Sequence, residues 1–286
     1  MKRFLFILTC YCFTLFFHAC KKNEEKIPSY IHIDKINLQI TNAAVQGSGS
    51  QKISDAWVYI DEKFVGCYEL PMTFPVLFEG AHQVKIKAGI KVNGIAASRA
   101  PYSFYSDYSK QVDLKPGEIV NLTPVVTYAS FARFTFMENF EGSGLIIGPA
   151  PAGTSDTMKQ TFDKNLVFEG IGSGITRLNS QKPMFLGVSN TSYILPQAGA
   201  PVYLEFDYKC NHTFTVGVYA HSNNNSTPVP VMGVNPTDTW NKMYTYLTTS
   251  LGGLTGITDY SIYFAMDNNE GVDGVELLID NIKLVY

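Results

Sequence analysis

Apolar and polar positions alternate on a two-residue period along most of this chain. In Val84-Lys85-Ile86-Lys87-Ala88 every second residue is charged, and in Tyr203–Cys210 the residues Leu204, Phe206, Tyr208 and Cys210 share one face. Phe214, Val216, Val218 and Ala220 repeat the pattern, and Met243 and Leu247 repeat it in the run that begins at Trp240. Period two belongs to strands with one buried and one wet face, because successive side chains on a pleated backbone point to opposite sides. Helical signals are almost absent. Gly, Pro and Asn punctuate the runs, and short strands between turn signals predict an all-β chain built of sandwiches. Strands are expected at Ile31–Ile40, Ala56–Ile60, Phe64–Tyr68, His82–Ala88 and Ile119–Thr127, with Gln46–Gln51 as a flexible loop.

The first residues break the alternation. Lys2 and Arg3 precede an apolar run from Phe4 to Phe17, which ends at His18-Ala19-Cys20. A charged start, a short apolar core and a small residue before the cut are the grammar of a secretory signal. The run of about fourteen residues is shorter than the roughly twenty that a membrane-spanning helix needs. Phe17-His18-Ala19-Cys20 resembles the bacterial lipobox, with Phe17 where an aliphatic residue is usual and His18 where a small one is usual. The resemblance implies a lipid on Cys20, and each buried methylene of such a lipid contributes about 0.8 kcal/mol to anchoring. Lys21-Lys22-Asn23-Glu24-Glu25 is similar to the signal that sends many Bacteroidota lipoproteins to the outer face of the outer membrane. The expected order is a signal peptide at 1–19 and a lipidated tether at 20–30.

Composition narrows the field. A hydrophobic fraction of 45% argues against disorder. A formal net charge of −3 leaves no basic footprint for nucleic acid. Cys10 and Cys12 fall within the signal. Cys67 and Cys210 are far apart in sequence; they form either a pair in an oxidising compartment or single thiols buried in strands, and the second arrangement is expected. Their spacing gives no disulfide framework or metal site.

Two further resemblances divide the rest. Ala56-Trp57-Val58-Tyr59-Ile60-Asp61, Val65-Gly66, Leu70-Pro71 and Glu79-Gly80-Ala81-His82-Gln83-Val84 resemble a PEGA-like module, a small β-sandwich of envelope proteins, without its namesake motif. His82 is then a structural turn residue. Asn139-Phe140-Glu141-Gly142 near Phe131 and Ile279-Asp280-Asn281-Ile282-Lys283-Leu284 at the end resemble the opening and closing of jelly-roll carbohydrate-binding modules and their galactose-binding-like relatives. These readings give two tandem β-sandwich domains, a PEGA-like one at 31–130 and a jelly roll at 131–286.

No catalytic motif is present: there is no His-Glu-x-x-His, no Gly-x-Ser-x-Gly and no phosphate-cradling Gly-x-x-x-x-Gly-Lys. Glu169-Gly170-Ile171-Gly172-Ser173-Gly174 is read as a loop. The jelly-roll resemblance implies a structural Ca2+ between the opening and closing strands, with Glu138, Glu141 and Asp280 as its carboxylate candidates, since calcium takes oxygen ligands. For binding, strand parity puts Trp240, Lys242, Tyr244 and Tyr246 on the face opposite the core. It gathers Glu205, Asp207, Tyr219 and His221 beside them on an outer surface. Aromatic rings with a few placed polar groups make a ligand site, and sugars stack their apolar C–H faces on such rings. The expected protein is a non-catalytic, lipid-anchored outer-membrane surface protein whose jelly roll binds a polysaccharide or other glycan. The alternative is a structural or adhesive envelope protein that binds other proteins.

Overall fold

The computed structural model describes residues 26–150, 153–197, 199–223, 225–252 and 254–286. Cys20, the signal and the first part of the tether lie outside them. The described chain is all-β and holds two sandwiches. Its helices are single turns: α1 at Ala43–Gln46, α2 at Thr248–Leu251 and a 3-10 turn at Val92–Gly94.

The first sandwich sets a three-stranded sheet against a larger one. In the small sheet β1 (Ser29–Ile33) lies in the middle, antiparallel to β5 (Met72–Val76) on one side and parallel to β9 (Ile119–Leu122) on the other. The larger sheet runs β4 (Lys63–Glu69), β3 (Asp55–Ile60), β6 (Gly80–Lys91). The far side of β6 is shared by β7 (Arg99–Pro101) and β8 (Tyr108–Leu114). A short parallel pair, β2 (Asn37–Leu38) with β10 (Val125–Val126), completes the unit. The expected strand Ile31–Ile40 is thus broken at Asp34–Ile36 into β1 and β2. The inward residues of the small sheet (Ile31, Ile33, Phe74) and of the large one (Val58, Ile60, Val84, Ile86) form a common core.

Contrary to the turn position expected of it, His82 lies within β6 and braces a turn. β3 and β4 are joined by Asp61 and Glu62, both at positive φ (48° and 62°), as a two-residue hairpin turn requires. Asp61 Oδ1 accepts from Gln83 N at 3.0 Å, and Oδ2 lies 2.6 Å from His82 Nδ1, whose ring also reaches Glu79 O at 3.0 Å. The imidazole ties the hairpin tip to the neighbouring strand.

The second sandwich is a jelly roll of two antiparallel sheets. One runs β12 (Ile147–Pro149), β15 (Met184–Ser189), β20 (Asp259–Asp267), β17 (Phe214–Ser222), β18 (Asn225–Val234). The other runs β13 (Lys159–Thr161), β14 (Ser173–Leu178), β21 (Val275–Val285), β16 (Tyr203–Cys210), β19 (Thr237–Tyr246). One side of β21 is divided between β14, along its first half, and β11 (Phe134–Glu138), along its second. The opening and closing strands are therefore neighbours. Leu204, Phe206, Tyr208 and Cys210, then Phe214, Val216, Val218 and Ala220, and then Met243 and Leu247 all enter one core, as their parity predicts.

The cysteines are separate. Cys210 is buried, and burial pushes its thiol up to about 11; Cys67 is exposed on β4, contrary to the expectation of a buried thiol.

Phe206 is fully buried and packs against Phe214 and Phe264 at ring separations of 6.2 and 5.5 Å. Phe206→Ala is expected to lower unfolding stability by about 3–5 kcal/mol, the range for emptying an aromatic site in a packed core. Urea denaturation followed by intrinsic fluorescence would measure it.

Candidate functional site

The sheet formed by β14, β21, β16 and β19 carries its polar and aromatic residues on the side away from the jelly-roll core. Parity brings Glu205 and Asp207 of β16, Lys242, Tyr244 and Tyr246 of β19, and Lys283 of β21 onto that face. The expected open surface is not what forms. Glu205, Asp207, Lys242, Tyr244 and Lys283 are buried under the first sandwich, and Tyr203, Tyr244 and Val285 belong to the apolar cluster of that unit.

Burying charge away from water is costly unless each group is paired, and the first sandwich supplies partners. Tyr102 Oη donates to Glu205 Oε1 at 2.6 Å, and Tyr128 Oη lies 3.0–3.1 Å from both carboxylate oxygens. Tyr244 Oη meets Tyr105 Oη at 3.1 Å and accepts from Lys52 N at 3.1 Å. Ser50 Oγ donates to Asp207 Oδ1 at 2.7 Å, and Asn281 Nδ2 donates to Oδ2 at 3.1 Å. Lys283 Nζ donates to Ser48 O and sits 5.4 Å from the centre of the Tyr128 ring. Burial, and then the Glu205 charge, hold the Tyr102 and Tyr128 phenols well above their ordinary values. Burial, and then neighbouring Lys242, bring Lys283 down to about 8.

The segment read as a flexible loop, Gln46–Gln51, becomes part of this seal. Gly47 sits at φ +65°, and a Cβ there would stand 2.7 Å from Met137 Sδ. The positive φ favours glycine at this position, and a side chain there would also displace the flexible ends of Met137 and Lys283.

The seal is incomplete at the β19 edge. A cavity of about 390 Å3 opens there between Ser50–Lys52 and the second sandwich, walled by Trp240, Phe168, Asp207, Lys242 and Thr237. The partly exposed Trp240 and Phe168 rings lie 5.1 Å apart. Lys242 Nζ and Thr237 Oγ1 are buried without a hydrogen-bond partner among the described residues. Lys242 Nζ stands 3.6 Å from both Glu205 Oε2 and Asp207 Oδ2, beyond hydrogen-bond reach. Lys242 and Thr237, the residues that carry these two atoms, thus line the same cavity as the two accessible rings. Buried polar groups are nearly always satisfied; of the three exceptions among the described residues, Trp57 Nε1 lies elsewhere and the other two belong to residues of this cavity.

The structure separates the other expected site residues. Tyr219 and His221 lie on β17, in the opposite sheet, so they face away from Glu205 and Trp240. Tyr219 pairs with Tyr263 at 5.2 Å, and His221 bridges Ser261 and Ser226 at 2.9 Å each. The period of a strand gives the face within its own sheet, and it does not say which of two sheets the strand joins.

Glu138, Glu141 and Asp280 are not assembled into an oxygen cage. Glu138 accepts from Phe140 N and Ile146 N at 2.8 and 2.7 Å, and Glu141 Oε1 accepts from Ile171 N at 2.9 Å. Gln160 Nε2 donates to the Phe140 and Gly142 carbonyls, the backbone oxygens of the same turn. Among the described residues no three His, Cys, Asp or Glu side chains group as metal ligands.

Asp280 has a different role. It lies where β11 and β14 leave a gap along β21, beside a bulge at Asn281, whose φ is +48°. Its Oδ2 accepts from Ser173 Oγ at 2.6 Å and its Oδ1 from Asn281 N at 2.7 Å. Sequence reasoning missed Tyr102, Tyr105, Tyr128, Ser50, Thr237 and Phe168. The dense aromatic run Tyr102–Tyr108 signals a contact surface, but nothing in it says what it meets.

No family model and no curated protein matches the chain. Its neighbours among solved structures include several carbohydrate-binding modules and the enzymatically active domain of a bacteriophage tailspike protein. A xylan-binding domain from CBM 22 is 14% identical, with 53% of this chain and 93% of that chain covered at a TM-score of 0.36. A family 11 module from Clostridium thermocellum, in complex with a beta-1,3-1,4-mixed-linked tetrasaccharide, is 16% identical over 54% of this chain and 94% of that chain, at 0.38. The family 30 module of a cellulosomal cellulase from Clostridium thermocellum is 16% identical over 52% and 96%, also at 0.38.

Burial is the main cause that raises Asp280 to about 7, from 3.8 when unperturbed. A carboxyl whose folded value is raised holds its proton more tightly in the folded state. Its contribution to stability is therefore greatest below about 3.8, declines as pH rises to about 7, and stays at its lowest above that. Asp280→Asn removes the titration and is expected to flatten the fall in stability across that window. Chemical denaturation of both proteins at a series of pH values would measure it; parallel curves would contradict this assignment.

Proposed function

We propose that this protein is a non-catalytic glycan-binding protein, held at the outer-membrane surface by a lipid on Cys20 and carrying a PEGA-like first sandwich. The observation that carries the glycan reading is the cavity at the β19 edge, where the Trp240 and Phe168 rings stand beside the unpartnered Lys242 Nζ and Thr237 Oγ1. A sugar ring suits such a place, because its C–H face stacks on an aromatic face while its hydroxyls both donate and accept. Asp207, Gln51 and Asn241 border the same space. The buried carboxylates favour binding over hydrolysis. Glu205 accepts from two tyrosines and Asp207 from Ser50 and Asn281, so neither faces a partner as an acid–base pair for glycoside cleavage would. The anchoring reading is supported by the apolar run and Ala19-Cys20 alone.

A protein partner is the second reading. Phe162 and Ile171 are exposed on the loop that also carries Phe168, and exposed apolar side chains beside a groove serve protein contacts as well.

Affinity gel electrophoresis against a panel of neutral and acidic polysaccharides tests the glycan reading. At least one is expected to retard the protein. Trp240→Ala is expected to weaken that binding about thirtyfold, the loss of a central aromatic anchor worth about 2 kcal/mol. Retention of no polysaccharide, together with stoichiometric capture of an envelope protein, would establish the second reading instead.

A further inference from the structure

A second and larger cavity adjoins the first and shares Lys52, Asn241 and Lys242 with it. It measures about 520 Å3 and lies where β19 and β18 meet the 3-10 turn of the first sandwich. Its polar lining is one-sided. Lys52, Lys91 and Lys242 border it with Asn93, Asn235 and Asn241, and no Asp or Glu is among its lining residues.

The three ammonium groups differ in how far they are neutralised. Lys91 Nζ is paired with Glu69 at 3.3 Å, and Glu69 is shared with Arg99. Lys52 Nζ reaches only the neutral Asn241 Oδ1. Lys242 Nζ has Glu205 and Asp207 at 3.6 Å and makes no hydrogen bond among the described residues. Burial, and then the nearby Lys91 charge, lower the Lys52 ammonium. An anion in the cavity would relieve that repulsion and give the Lys52 and Lys91 ammonium groups a further acceptor. A charge-assisted hydrogen bond is stronger than one between neutral groups.

We propose that this cavity takes the anionic substituent of an acidic saccharide, a carboxylate or a sulfate ester, while the sugar chain lies against Trp240 in the adjoining cavity. This inference rests on the glycan reading of the Trp240 cavity. It names the ligand class and assigns selectivity to the junction between the sandwiches, with Lys52 and Lys91 contributed by the first and Lys242 by the second. Neither unit alone holds all three.

Isothermal titration of the whole chain with oligogalacturonate and with its methyl ester tests the charge, because the two differ at the carboxyl alone. A sulfated galactan oligosaccharide distinguishes sulfate from carboxylate as the preferred anion. The free acid or the sulfated sugar is expected to bind at least about tenfold more tightly than the ester, as one charge-assisted hydrogen bond would give. In a Lys91→Met variant, which alters no residue lining the Trp240 cavity, that preference is expected to fall while binding of the ester persists. Equal affinity for acid, ester and sulfated sugar would overturn this inference and leave the glycan reading standing. A Lys91→Met variant that keeps the full preference would overturn the assignment to this cavity. No binding of any of them, or of the neutral polysaccharides, would overturn both readings.

Discussion

The arrangement of this molecule depends on the cost of hiding charge. One sheet of the second sandwich places Glu205, Asp207, Lys242 and Lys283 on a single face, and the first sandwich covers that face. Removing such groups from water is unfavourable by several kcal/mol each unless partners replace the solvent. Tyr102, Tyr128, Ser50 and the Ser48 carbonyl are those partners, and all come from the other unit. Dispersion and ring packing alone would hold the units together in many registers. The hydrogen bonds to Glu205 and Asp207 select one, because a shift of a few ångströms would leave a buried carboxylate unpaired.

The same constraint explains the cavities. Lys242 is at the margin of the covered face, where the Ser50–Lys52 segment ends its run along β16 and β19. Its ammonium is close enough to two carboxylates to be electrostatically held, yet too far from either to donate a hydrogen bond. Charge neutrality and hydrogen-bond satisfaction are different requirements, and here the first is met without the second.

Much of the second sandwich was legible in the sequence because period-two patterning is a statement about faces. Leu204, Phe206, Val216 and Met243 went to the core for that reason, and Trp240, Lys242 and Tyr244 went to the other side. Sheet membership was not legible: Tyr219 and His221 obey the same parity yet lie across the sandwich. Nor was the covering of the outer face. Tyr244 reads as an exposed ring on a strand, and only the approach of Tyr102 and Tyr105, far away in the chain, makes it a buried one. The flexible reading of Gln46–Gln51 failed for a related cause. Gly and Ser permit close packing as readily as they permit motion, and Gly47 against the Met137 side chain shows the former.

The position of β1 bears on what happens under tension. It is the first described strand and lies between β5 and β9, hydrogen-bonded to both. A chain pulled from the residues before Ser29 would load these two ladders along their length, so that their hydrogen bonds share the force and must fail together. An edge strand would peel away one bond at a time. At the other end β21 is likewise interior to its sheet. β1 and β21 are thus both held along their length on two sides, so neither can be drawn from its sheet one hydrogen bond at a time.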